Sequence, residues 1–211
     1  MNFQDVIEST GTCRFYRPDP IPDDVMRRVL DATRFAPSGG NRQPVRFIVV
    51  RDAAKRQRLQ ELYLPIWKAY VARLAPDGIA ASARPKLLGR ADHFAEHLAE
   101  IPALIVVCAS LADVLPTDSQ LGRLSIVGGA SVYPAVQNLL LKARDEGLGT
   151  ALTTLLCYVE LQVKELLHIP DGIATAAMVA LGFPAQAFPR RLQRRPLSEV
   201  AFANEYGRTL D

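Results

Sequence analysis

The sequence predicts one compact domain of interleaved helices and strands that ends in a separate arm. Three observations carry this. Short apolar runs at Phe47–Val50 and Ala103–Ala109, and a run of small and β-branched residues at Ala174–Gly182, have the length of buried strands. Between them lie longer stretches whose apolar residues recur at helical spacing or crowd every face. From Phe183 onward the chain is rich in Pro and Arg and has no self-contained hydrophobic pattern, which sets a body, 1–188, against an arm, 189–211. The arm still carries Leu197, Val200 and Phe202, so it is expected to pack on something, a partner subunit included.

The elements follow in order. Phe3–Ser9 reads as a short helix, broken by Thr10-Gly11-Thr12-Cys13. Pro18, Pro20 and Pro22 force an extended passage. Asp23 and Asp24 suit the positive end of the next helix, whose apolar face is Val25, Met26, Val29, Leu30 and Ala32. A helix over Asp52–Arg73 buries Leu59, Leu62, Tyr63, Ile66 and Trp67, and Pro65 is expected to kink or split it. Ala75–Arg90 reads as loop or short helix; a substrate lid is one reading and a solvated connection the favoured one. A helix is expected over Asp92–Glu100. Ser125–Glu146 is apolar on nearly every face and reads as one buried helix, bent at Pro134 and stopped by Gly147. Gly149–Leu156 is a short strand or turn, and Leu161–Leu167 a helix.

Composition narrows the function classes. With 211 residues, 49% of them hydrophobic, the chain can bury a substantial core. A net charge of +3 is too small to imply a nucleic-acid partner. Cys13, Cys108 and Cys157 are odd in number and far apart, a reducing-compartment pattern with neither a disulfide framework nor a zinc knuckle. No signal-peptide pattern opens the sequence, and its apolar runs are shorter than the ~20 residues a membrane span needs. A cytoplasmic protein is expected.

Ala36-Pro37-Ser38-Gly39-Gly40-Asn41-Arg42-Gln43-Pro44 holds more chemistry than a turn requires. Its glycines permit close approach, Ser38, Asn41 and Gln43 donate and accept, and Arg42 is a cation. A flat, polar-edged, anionic ligand fits it, and so does a plain helix-to-strand turn. His93-Phe94-Ala95-Glu96-His97 has the order of one zinc-protease class but no third ligand, so a solvated helix face is favoured and no metal is expected. Gly147-Leu148-Gly149 is half a dinucleotide fingerprint with Leu152 where the third glycine belongs. Four arginines within 190–195 suit one phosphate, or a solvated basic turn. Thr12 and Arg14 could hold an oxyanion beside them.

Taken in order, these pieces resemble the FMN-dependent nitroreductase family over nearly the whole chain. The resemblance is carried by Arg14-Phe15-Tyr16-Arg17-Pro18-Asp19, the 36–44 loop, Tyr133–Leu141 leading into Gly147-Leu148-Gly149-Thr150, and Leu181-Gly182-Phe183-Pro184 leading into Arg194-Arg195-Pro196-Leu197. It implies an α+β fold, a mostly antiparallel sheet flanked by helices, in an intertwined homodimer with exchanged C-terminal arms and FMN at the interface. It implies that Thr12 and Arg14 open the flavin site, with Arg14 near the N1–O2 edge. Pro37, Ser38, Gly39 and Asn41 match the loop that reaches the flavin from the other subunit, and Gln43 the amide that closes it. Leu152, Thr153, Thr154 and Leu155 match the segment whose N–H groups face N5 and O4. Arg194, and after it Arg195, match the phosphate anchor. Two positions depart from the pattern. Many members have a basic pair where this chain has Thr10 and Gly11, so phosphate binding is expected to lean on Arg14, Thr12 and Arg194. Many also have Trp where it has Val45, at the substrate face.

The implied activity is NAD(P)H-dependent, ping-pong reduction of a nitroaromatic or quinone through FMN. The alternative is a flavin-binding sensor or carrier without turnover. Flavin fragmentation and action on halogenated aromatics are further activities of such a family.

Overall fold

A computed structural model describes residues 1–73 and 84–210. Six helices, α1 (Phe3–Ser9), α2 (Asp23–Thr33), α3 (Ala53–Arg73), α4 (Arg84–Glu96), α5 (Tyr133–Asp145) and α6 (Glu160–Leu167), surround four strands. The strands are β1 (Val45–Val50), β2 (Ala103–Ser110), β3 (Gly149–Thr153) and β4 (Ile173–Gly182). They form one sheet in the order β1-β2-β4-β3, every neighbouring pair antiparallel. The fold is α+β, as expected. Among the described residues no helix is long and apolar enough to cross a membrane.

The unbroken apolar run of β2 has its cause in two covered faces. Leu104, Val106 and Cys108 point with Met178 and Ala180 into a layer made by Leu59 and Tyr63 of α3, Phe94 of α4 and Val163 of α6. Ala103, Ile105, Val107 and Ala109 point with Ala177, Val179 and Leu181 the other way, onto Met26 and Val29 of α2 and Val136, Leu139 and Ala143 of α5. Alternate residues of one strand thus feed two cores, and neither face is left to water.

Three expectations change. The helix read over Ser125–Glu146 begins only at Tyr133. Asp118, 3% exposed, accepts from the Ser125 hydroxyl and from the Ile126 and Val127 N–H groups, so those donors are spent outside a helix. Leu124 and Ile126 are 86% and 77% exposed rather than buried. Pro134 therefore stands in the first turn of α5, where its missing N–H costs nothing, and does not bend a longer helix. Second, α3 runs through Pro65 as a single element. It is held on both sides of the proline, by Leu59 and Tyr63 in the core and by the Trp67 Nε1–H bond to Asp92 at 2.7 Å. Third, α4 already begins at Arg84, inside the stretch read as a connection, and gives way to a 3-10 turn at Leu98–Glu100. The lid reading of Ala75–Arg90 rests largely on 74–83, outside the described residues.

Candidate active site

The segment Thr12–Arg17 crosses the free edge of the sheet. Thr12 bridges Thr150 of β3, and the Cys13 N–H donates to Thr150 O at 2.7 Å. Arg17 N–H donates to Phe183 O and Ala185 N–H to Phe15 O, which clamps the segment to the end of β4. The approach is so close that a Cβ on Gly149 would stand 2.7 Å from Cys13 Cβ and Sγ. That contact explains the second glycine of Gly147-Leu148-Gly149, and no dinucleotide turn is involved.

This crossing sets Arg14 beside the β3 edge. Arg14 is half-buried, and burial first, then the charge of Arg90, holds its guanidinium below the ordinary arginine range. Tyr63 of α3 is close enough to Arg14 to feel its charge, and its phenol oxygen is 3.4 Å from Thr153 Oγ1. Thr153 Oγ1 in turn accepts from the Leu155 N–H at 3.3 Å. β3 has a ladder partner only on its β4 side. Because Thr150 O faces outward to Cys13, the alternation of an antiparallel ladder turns the Leu152 N–H and C=O outward too, onto the open edge. Thr12 and Arg14 thus lie along the edge of β3, with Tyr63 between Arg14 and Thr153.

The Pro37–Gln43 loop is built elsewhere. Ser38 Oγ accepts from the Gln43 N–H at 3.0 Å, Gln43 Nε2 donates to Asn41 Oδ1 at 3.1 Å, and Gly39 N–H donates to Ser131 Oγ at 3.0 Å. Gly40, Asn41 and Gln43 all have positive φ, which suits the glycine and the asparagine; Gln43 adopts it with its N–H held by Ser38 Oγ. The loop opens a cleft with Thr33, Phe47, Ser131 and Ala135 on the α2–α5 side. It enters β1, and β2 and β4 separate it from β3, roughly 14 Å across the sheet at ~4.8 Å per strand, with a further offset along the strands because Val45 lies level with Ala174 and Leu152 with Val179. Arg194 and Arg195 form a third group. The arm begins along α1, with Leu192 N–H donating to Glu8 O at 2.7 Å and Arg191 paired with Glu8, and both arginines lie over Gln4 and Ile7. One chain therefore sets Thr12 and Arg14 at the β3 edge, the loop at the opposite edge of the sheet, and Arg194 on the arm along α1, where Leu192 packs on Gly11.

His93 and His97 stack face to face with centroids 4.1 Å apart, and His97 Nδ1 lies 2.8 Å from His93 O. His93 stacks on Phe15 at 4.5 Å, and the Arg90 guanidinium lies 5.5 Å from the Phe15 ring centre. Among the described residues no group of three or more His, Cys, Asp or Glu could hold a metal ion. Tyr63 and Arg90 had no sequence signal: Tyr63 reads as one more apolar position of a helix, and Arg90 closes a stretch read as a connection.

The description "Nitroreductase family" belongs to the family profile that matches residues 7–183. The chain is 28% identical over 215 residues to an NADH dehydrogenase of Thermus thermophilus, covering 89% of this chain and 88% of that one. It is 31% identical over 179 residues to a 5,6-dimethylbenzimidazole synthase of Rhodospirillum rubrum, covering 83% and 79%. Its fold superposes on an NADPH:FMN oxidoreductase of Vibrio harveyi with NAD+ bound, at a TM-score of 0.70 and 24% identity, over 100% of this chain and 80% of that one.

Proposed function

The chain belongs to the nitroreductase family and is an oxidoreductase; from that premise we propose that it reduces a nitroaromatic or quinone with NAD(P)H in a ping-pong cycle. FMN is its cofactor and supplies hydride transfer between the nicotinamide and the acceptor. The observation that carries the reading is Arg14, a half-buried cation with no carboxylate partner among the described residues, set against the open edge of β3. A flavin needs such a pair: donors along a straight edge for its polar rim, and a cation where charge arrives on reduction.

The residues divide the work. Arg14 would hold the N1–O2 end and would stabilise negative charge there. The outward N–H of Leu152, with that of Thr154, would hold the N5–O4 side, while the Leu155 N–H is engaged by Thr153 Oγ1 and braces the segment. Tyr63 and Thr153 fix that segment from behind. The Pro37–Gln43 loop, at the opposite edge of the sheet in its own chain, would serve the site of a second copy, and Arg194 of the crossing arm would hold the phosphate. The protein is then a homodimer. No side-chain nucleophile or acid–base pair is needed.

Purification tests this directly. The chain should carry one FMN, identified by chromatography after denaturation, and should oxidise NAD(P)H faster when a quinone or nitroaromatic is present. FAD, or no flavin after FMN is added, refutes the cofactor. Bound FMN without acceptor-dependent turnover would leave a flavin sensor or carrier instead.

A further inference from the structure

Arg14 and Arg90 reach the same polar cleft from different elements. Arg14 comes from the segment crossing β3, Arg90 from α4, and Gly11, Thr12, Phe15 and Gln186 complete the walls. Arg90 is held in place twice: Nη2 donates to Gln186 Oε1 at 3.0 Å, and the guanidinium lies over the Phe15 ring. Among the described residues neither arginine forms an ion pair, whereas Arg28, Arg51, Arg58 and Arg123 each find a carboxylate. Two guanidiniums turned toward one small cleft repel each other, and burial first, then this repulsion, holds Arg14 below the ordinary arginine range. An anion held by Arg90 would offset that repulsion with charge-assisted hydrogen bonds and leave Arg14 free for a second polar edge of the same ligand.

We infer that Arg90 binds the FMN phosphate, an inference that rests on the cofactor reading above. The phosphate is the only ionised group of oxidised FMN. It takes the fork of an arginine and the hydroxyl of a threonine, and Thr12 is exposed beside the same cleft. The positions before Thr12 supply no charge. Gly11 has no side chain, and the Thr10 hydroxyl is spent on Val6 O at 2.6 Å, inside the end of α1. Arg90 brings from α4 the cation that this stretch of the sequence lacks.

The test compares FMN with riboflavin, which has the same ring and ribityl chain and no phosphate. Flavin-fluorescence titrations give Kd for each with the parent, Arg90→Gln and Arg90→Lys. Arg90 is exposed, so both variants should fold, and thermal melts confirm it. Arg90→Gln should weaken FMN binding about 10- to 100-fold, the range of one hydrogen bond to a charged group. Its riboflavin Kd should stay within about twofold of the parent. Arg90→Lys keeps the charge without the fork and should recover part of the loss. Equal weakening of both flavins would place Arg90 at the ring or ribityl chain and overturn the inference, as would an unchanged FMN Kd. A parent chain that binds neither flavin defeats the cofactor reading itself. A parent that binds FMN no better than Arg90→Gln does defeats only the role of Arg90.

Discussion

Replacing Arg14 by Gln should lower the midpoint potential of the bound flavin. Reduction places negative charge on the N1–O2 edge, and a cation there favours the reduced form over the oxidised one. Gln keeps a donor and removes the charge. A hydrogen bond to a charged group is worth ~1.5–3 kcal/mol, and ~1.4 kcal/mol is ~30 mV for a two-electron couple. The full range is therefore about 30–65 mV. Arg14 is half-buried, so water screens part of its field, and the lower half, roughly 30–50 mV, is expected. Arg90 remains in the variant and does not enter the difference. Redox titration of FMN-loaded parent and variant against reference dyes gives the shift. Reduction by NAD(P)H should slow with it, and transfer to the acceptor should slow less. An unchanged or raised potential would remove Arg14 from the N1–O2 edge. Arg90→Gln, acting on the phosphate, should move the potential less than Arg14→Gln; the opposite order would exchange the two assignments.

Ending the chain at Pro189 should weaken FMN binding and dimerisation together, by about tenfold or more in flavin Kd, and a truncated chain that stays a yellow dimer at micromolar concentration removes the arm from the site. Mixed dimers test the division between chains: Arg14→Gln and Asn41→Ala chains, each weak in FMN, should together regain up to half the parent's sites, because one site then draws both native residues. No recovery would put loop and Arg14 in sites of a single chain. Asp118→Asn should free the 116–128 stretch and raise its amide exchange several-fold. The Ser125 hydroxyl and then the Ile126 N–H hold the Asp118 carboxyl down to about 2, below its unfolded value, so its stabilisation is complete above about pH 4 and lost as pH falls toward 2. Parent exchange in that stretch, corrected for intrinsic rate, should therefore climb across that window while the variant's stays high; equal protection in both refutes the role of Asp118. Changing both His93 and His97 to Ala should leave acceptor reduction within a few-fold, and loss of activity along with stoichiometric zinc would revive a metal site.

The sheet was legible because its strands obey one-dimensional rules. A run such as Ala103–Ala109 is apolar throughout only if both faces are covered, and they are. The stretch before Tyr133 obeyed no such rule. Ile126 and Val127 extend the apolar pattern of α5 backward, and the one local sign against a helix, Gly128-Gly129, is outweighed in a reading by apolar content alone. The difference lies in Asp118, seven to nine positions upstream, which takes the N–H groups a helix would need. A carboxylate ahead of an apolar run is not a signal that periodicity can read.

The site divides along the same line. The 36–44 loop could be singled out because its chemistry is contiguous: the turn residues are also the donors and acceptors. Arg14 and Arg90 meet only because α4 packs over the crossing of Thr12–Arg17 and the sheet edge, and no spacing along the chain encodes that meeting. The folded chain also explains why sequence alone could not assemble the site. Loop and Arg14 stand at opposite edges of one sheet, and two strands that cannot be removed without losing the core lie between them. Exposed apolar residues outside that core include Leu124 and Ile126 before α5 and Leu197, Val200 and Tyr206 in the arm, beside others such as Phe3, Phe35, Tyr158 and Leu161. Water tolerates such residues singly, but a second copy would cover them where they gather. The same contact would bring a foreign loop toward each Arg14, so the burial that stabilises the dimer and the assembly of the flavin site would be one event.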